Sequence, residues 1–158
     1  MRVTLFDILG PAIDGTRVLD LFAGTGAVGI EALSRGAGRA VFVERDRDAL
    51  RALRANLATL RLGRAQARVV AGDALAVLPA LAASEAAFDL VFLDPPYAGG
   101  LAARALTALA GSPLLRPGAR VVVQHATRVP LPVPPGLREA RAARAFGDTT
   151  LTFLEAEG

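Results

Sequence analysis

The residues with the most specific chemistry in this sequence are Asp94-Pro95-Pro96-Tyr97, at the end of the apolar run FDLVFL. The two prolines fix φ, so the carbonyl between them is presented rigidly. Asp94 and the Pro95 carbonyl can then both accept from one –NH₂ group. An amine on an aromatic ring is a poor nucleophile because its lone pair is delocalised into the ring. Two acceptors that favour a pyramidal nitrogen localise that lone pair and stabilise the positive charge that develops on it. Tyr97, the only tyrosine, can stack on the flat group that carries the amine, a contact worth roughly 1–3 kcal/mol per base. The plain alternative is a proline-stiffened loop with a packed tyrosine. At ordinary residue usage, however, D-P-P-aromatic arises by chance in only about a few chains per thousand of this length.

Three other carboxylates stand at the ends of strand-like runs. Asp20 opens DLFAGTG (20–26), in which Gly24 and Gly26 let the backbone turn tightly and approach a ligand. The acid precedes the glycines in a D-x-F-x-G-x-G pattern, with Asp20, Phe22, Gly24 and Gly26 as cofactor contacts. Asp20 is suited to accept from an ammonium group. Gly24-x-Gly26-x-x-Gly29 also fits a dinucleotide loop, but Asp20 would gain nothing beside a pyrophosphate, so S-adenosylmethionine is the expected cofactor. Glu44 ends RAVFVE (39–44), where a carboxylate can bind both ribose hydroxyls. Asp73 follows ARVVAG and can either accept from an adenine amino group or cap the next helix. Asp46 and Asp48 in RDRD read as solvated charges.

Elements that could position these residues alternate along the chain. A short helix over 2–9 precedes strands over 17–23, 39–44, 67–72, 88–94 and 119–126. Helices over 26–35, 45–62, 73–84 and 99–110 separate the strands, and Leu50, Leu53, Leu57 and Leu60 form the apolar stripe of the second. Arg116-Pro117-Gly118 reads as a turn, 128–136 as a proline-rich loop, and 137–146 with 149–156 as a closing hairpin. The expected fold is α/β: a Rossmann-like, doubly wound, seven-stranded sheet, mostly parallel with one antiparallel strand, in a single domain over 1–158.

Composition excludes several function classes. With no cysteine and only His125, a disulfide framework and a Cys- or multi-His zinc site are ruled out, and no metal is expected. No apolar run is long enough for a membrane span and no leader is legible, so the expected location is the cytoplasm. All 18 basic residues are arginine and the net charge is +3. That fits a polyanionic partner, and equally a GC-rich genome.

VTLFDIL, LDLFAGTGAVGIEALSRGA (19–37), VFVERD (41–46), ANL (55–57) and VFLDPPY (91–97) resemble the Rossmann-like amino methyltransferases. More narrowly, they are similar to the bacterial 16S ribosomal RNA guanine-N2 methyltransferases of the RsmD type. The resemblance implies methyl transfer from S-adenosylmethionine to N2 of a guanine in ribosomal RNA or a ribosomal subunit precursor. Cofactor contacts are implied at Asp20, the 24–26 turn, Glu44 and Asp73, and catalysis at Asp94, Pro95 and Tyr97. Arg45, Arg104 and Arg128 are the expected phosphate contacts. The DPPY motif is shared with DNA adenine-N6 and cytosine-N4 methyltransferases, which leaves DNA as the alternative substrate. A binding module that holds the cofactor without turnover, or a dehydrogenase, would also be compatible with the glycine turn alone. The family's basic N-terminal hairpin, ahead of VTLF, is expected to be absent from this chain.

Overall fold

The computed structural model describes residues 2–96 and 100–158. Helix α1 (Arg2–Leu9) and a 3₁₀ turn (Gly10–Ile13) precede β1 (Arg17–Leu21), α2 (Ala27–Ser34), β2 (Arg39–Glu44), α3 (Arg47–Thr59) and β3 (Ala67–Ala71). Then come α4 (Leu78–Ser84), β4 (Phe88–Leu93), α5 (Leu101–Leu109), β5 (Leu115–Ala126), β6 (Leu137–Phe146) and β7 (Thr149–Ala156). The strands form one sheet in the order β3-β2-β1-β4-β5-β7-β6. Strands β1 to β5 pair in parallel, and β7 runs antiparallel to both of its neighbours. This is the expected seven-stranded, doubly wound sheet. Among the described residues no helix is long and apolar enough to cross a membrane.

The parallel strands are apolar on both faces because helices cover both. On one face Leu19, Val41, Val91 and Val121 pack under Leu78 and Leu81 of α4 and Leu106 and Leu109 of α5. On the other, Val18, Phe42, Leu90, Phe92 and Val122 pack under Leu5, Phe6 and Leu9 of α1, Ala32 of α2, and Leu53 and Leu57 of α3.

Several element ends differ from those expected from the sequence (β1, for example, stops at Leu21), and four of the differences have a clear physical cause. Helix α3 starts at Arg47 because Asp46 is its N-cap, accepting from Ala49 N at 2.9 Å, so Asp46 is not merely solvated. Leu60 leaves the apolar stripe and is 50% exposed, since it is the C-cap of α3 and lies past the last buried turn. Helix α4 begins only at Leu78, with Pro79 in its first turn where the missing N–H costs nothing; turns fill the stretch ahead of it. Strand β5 begins at Leu115. It carries Arg116-Pro117-Gly118 as an irregularity, visible as the register shift between Phe88↔Leu115 and Leu90↔Arg120, with Gly118 at φ +79°.

Candidate active site

The carboxyl ends of β1 to β4 open into one cleft of about 930 Å³. It lies where the winding order reverses between β1 and β4, the position at which such sheets bind ligands, and it has the size of a small-molecule site. Carboxylates line it at all four strand ends: Asp20 from β1, Glu44 and then Asp46 at the end of β2, Asp73 after β3 and Asp94 after β4.

Asp20 is 2% exposed. Its register partners on the two neighbouring strands are Phe42 and Phe92, so its carboxyl is walled by aromatic rings. Burial pushes its pKa up to about 8 against an ordinary value of 3.8. The N–H of Gly29, donating at 3.0 Å, opposes that shift, while Asp94 and Glu44 add to it. This bond requires α2 to lie close on the sheet, which explains Gly29: a Cβ there would strike the Phe42 ring, with Cζ at 2.8 Å. Gly26 has the same kind of duty. It is the N-cap of α2 at φ +88°, a Cβ on it would strike Leu53, and it stands behind the cleft wall without lining it.

Glu44 binds the turn as well as facing the cleft. Its Oε1 accepts from Gly24 N at 2.7 Å, and its Oε2 accepts from Arg45 N at 3.0 Å and Asp46 N at 2.8 Å. The carboxylate thus ties the glycine turn to the start of α3 and keeps about one acceptor site, on Oε1, for a ligand. Phe22 lines the cleft from a left-handed backbone at φ +65°, a strain of roughly 1–3 kcal/mol. It is held there by the adjacent Ala23 N, which donates to Val43 O at 2.8 Å. Gly24, also lining, has φ +59°. Asp73 Oδ2 accepts from Ala76 N at 3.0 Å and Oδ1 stands 3.6 Å from Arg45 Nη1. It therefore caps the turn ahead of α4 while one edge faces the cleft.

Asp94, Pro95 and Pro96 line the opposite end of the cleft, with Pro95 buried and Asp94 at the exposed rim. Partial desolvation there raises the Asp94 pKa above the ordinary carboxylate value. Tyr97 lies outside the described residues. Of the three arginines expected at the mouth, Arg45 lines the cleft; Arg104 on α5 and Arg128 after β5 are exposed but do not line it.

Sequence reasoning missed Asn56. Its Nδ2 donates to Thr25 O at 3.1 Å and so holds the turn from α3. The only sequence signal was the stretch ANL, which carries part of the family resemblance but implies no role for the asparagine.

The arrangement sets several hydrogen-bond acceptors and an aromatic ring around one cleft, and so can accept from amino and hydroxyl groups of a small ligand. The family description "conserved hypothetical protein 95" matches residues 1–155. Ribosomal RNA small subunit methyltransferase D of Escherichia coli (strain K12) is 39% identical over 157 residues, covering 99% of this chain and 77% of that protein. Its namesake from Haemophilus influenzae is 38% identical over 134 residues, covering 85% and 69%. The solved structure of a hypothetical protein from Thermus thermophilus matches with a TM-score of 0.81 at 37% identity, covering 99% of this chain and 84% of that one. With these relatives, and with the cleft where the fold requires it, the chain belongs to the RsmD family and is a methyltransferase.

Proposed function

We propose that this chain moves a methyl group from S-adenosylmethionine to an exocyclic amino nitrogen, N2 of a guanine in 16S ribosomal RNA, in the cytoplasm. The observation that carries the proposal is one cleft lined, strand by strand across the sheet, by Asp73, Glu44, Asp20 and Asp94-Pro95-Pro96. This donor set fits the cofactor chemically: an acid for its ammonium group, an acid for its ribose hydroxyls and an acid for its adenine amine. When bound, S-adenosylmethionine supplies a methyl group activated on a sulfonium.

The protein's own groups do the rest. Asp20 and Glu44 would hold the cofactor beside the glycine turn, and Phe22, lining the same cleft, would offer it an apolar surface. Asp94 and the Pro95 carbonyl accept from the substrate's amino group and stabilise charge that grows on the nitrogen. Asp94 stands at the solvent-exposed rim with its basicity raised, so it is suited to take the proton that the alkylated nitrogen releases. Tyr97, close by in the chain, is assigned to stack on the base. The base must be presented outside its helix, by an unpaired loop or by extrusion at a cost of a few kcal/mol.

The test is transfer of labelled methyl into ribosomal RNA, followed by nucleoside analysis. N2-methylguanosine is expected. N6-methyladenine or N4-methylcytosine in DNA instead would refute the substrate assignment while leaving the amine chemistry intact.

A further inference from the structure

Strand β6 is the outer edge of the sheet, and residues 138–145 are all exposed. Its arginines are spaced by three: Arg138, Arg141 and Arg144. In a regular strand, where side chains alternate between faces, that spacing would send Arg141 to the face opposite the other two. The strand is not regular. Its register against β7 shifts twice, between Glu139 and Arg141 and again between Arg141 and Arg144. Each shift lets β6 advance one residue more than its partner. As a result Arg138, Arg141 and Arg144 pair with Glu155, Phe153 and Leu151, which alternate along β7 and so share one face. The side chains agree: the Arg141 guanidinium lies 5.7 Å from the Phe153 ring centroid and that of Arg144 lies 5.9 Å from the Phe146 ring.

From this geometry we infer that the bulged β6 edge is a phosphate-binding rail for the RNA strand that carries the target base. The inference rests on the RNA reading given above. Successive arginines follow two-residue steps of β7, roughly 7 Å each, of the order of the separation between neighbouring phosphates on one nucleic-acid strand. The row is also oriented. β6 runs in the same direction as β5, so Arg144 is nearest the sheet edge that holds the cleft and Arg138 is farthest from it. Between β6 and β4 lie β7 and β5, placing the rail roughly 14 Å to the side of Asp94 at ordinary strand spacing. A strand of a few nucleotides covers that distance. Local roles account for only part of the row. Arg138 pairs with Glu155 at 2.7 Å, and Arg141 Nη1 donates to Ile8 O at the end of α1. Both bonds leave donors of the five-donor guanidinium over, and the Arg141 and Arg144 heads each rest against a phenylalanine ring.

The test compares wild type with Arg138→Gln/Arg144→Gln and with Arg138→Lys/Arg144→Lys. Both variants leave the Arg141 contact to α1 untouched. Binding of ribosomal RNA fragments is measured across a salt series, alongside cofactor affinity and melting temperature. For the glutamine pair the log–log salt slope should be shallower by about 1.4, at about 0.7 per contact on a single strand. Cofactor affinity and melting should be unchanged, and the lysine pair should keep most of the wild-type slope. A glutamine pair with the wild-type slope overturns the rail. So does an unchanged slope on naked RNA combined with weaker binding to the assembled subunit, which would assign the row to a protein partner. Wild type that methylates no RNA at all refutes the RNA reading itself, and the rail with it.

Discussion

Replacing Asp20 with asparagine should stabilise the ligand-free protein increasingly as pH rises. Asp20 is walled by Phe42 and Phe92 and faces Asp94 and Glu44, and its folded-state pKa is pushed up to about 8 from 3.8. A carboxyl with a raised folded-state value binds protons more tightly native than unfolded. Its favourable contribution is complete below the unfolded value and is lost as pH climbs from about 4 to about 8. At ~1.4 kcal/mol per pH unit, the full window corresponds to a ceiling of roughly 6 kcal/mol. Between about pH 5 and about pH 7.5 the wild type should lose roughly 3 kcal/mol through this group alone. Asparagine keeps an oxygen for the Gly29 N–H and does not titrate. Urea denaturation of both proteins across that range should therefore show a stability difference that moves toward the variant by up to ~3 kcal/mol. The other carboxylates titrate in both proteins and largely cancel. A difference that stays constant with pH would show that Asp20 is ionised in the empty cleft, and the burial argument would fail.

Glu44→Ala should weaken S-adenosylmethionine binding by about 10- to 150-fold in calorimetry, from a loss of roughly 1.5–3 kcal/mol. It should also loosen the turn whose Gly24 N–H it accepts; unchanged affinity would place the ribose elsewhere. Asp94→Ala should abolish methyl transfer with cofactor affinity nearly intact, whereas Tyr97→Phe should be tolerated because only the ring face is needed; single-turnover assays check both. Glu85 is 4% exposed and ion-paired with Arg17, Arg39 and Arg68, and its pKa is lowered to about 2 from 4.5, first by the Arg39 hydrogen bond. Its stabilisation is present above the unfolded value and disappears as pH falls toward 2, so Glu85→Gln should cost about 3 kcal/mol in denaturation near neutral pH and little in strong acid. Gly29→Ala should destabilise by roughly 1–3 kcal/mol, because the methyl strikes Phe42.

The elements that could be read from the sequence were those whose local pattern and tertiary setting agree. RAVFVE was legible at both ends, since its four inner residues are apolar, as burial on both faces requires, and charged Arg39 and Glu44 bound them. Asp20, Glu44, Asp73 and Asp94 were legible because strand ends in a doubly wound sheet converge on one edge, whereas Asp46, which also lines the cleft, read as a solvated charge. The start of α4 was not. Alanine and leucine favour helix on both sides of Pro79, and Asp73 caps a turn that resembles a helix start, so only Pro79 marks that α4 begins at Leu78. The raised pKa of Asp20 was equally hidden. It depends on which residues of β2 and β4 stand opposite, and register between strands is a long-range quantity.

Strand β6 shows how far that limit extends. LREARAARAF carries little apolar signal, and eight of its ten residues are exposed. Its strand state comes from the ladder with β7, which is buried on both faces, with Leu151 and Phe153 on one and Leu154 on the other. An edge strand held by a partner rather than by its own burial can accept bulges at low cost, because no side chain of the bulged stretch has to return to the core. That tolerance lets a three-residue arginine spacing resolve onto one face. A buried strand with the same spacing would have to put a guanidinium into the core or break the register of its neighbours. The strand itself was legible over 137–146, but its bulged register was not, and the exposure that permits those bulges is what gives its arginines a common direction.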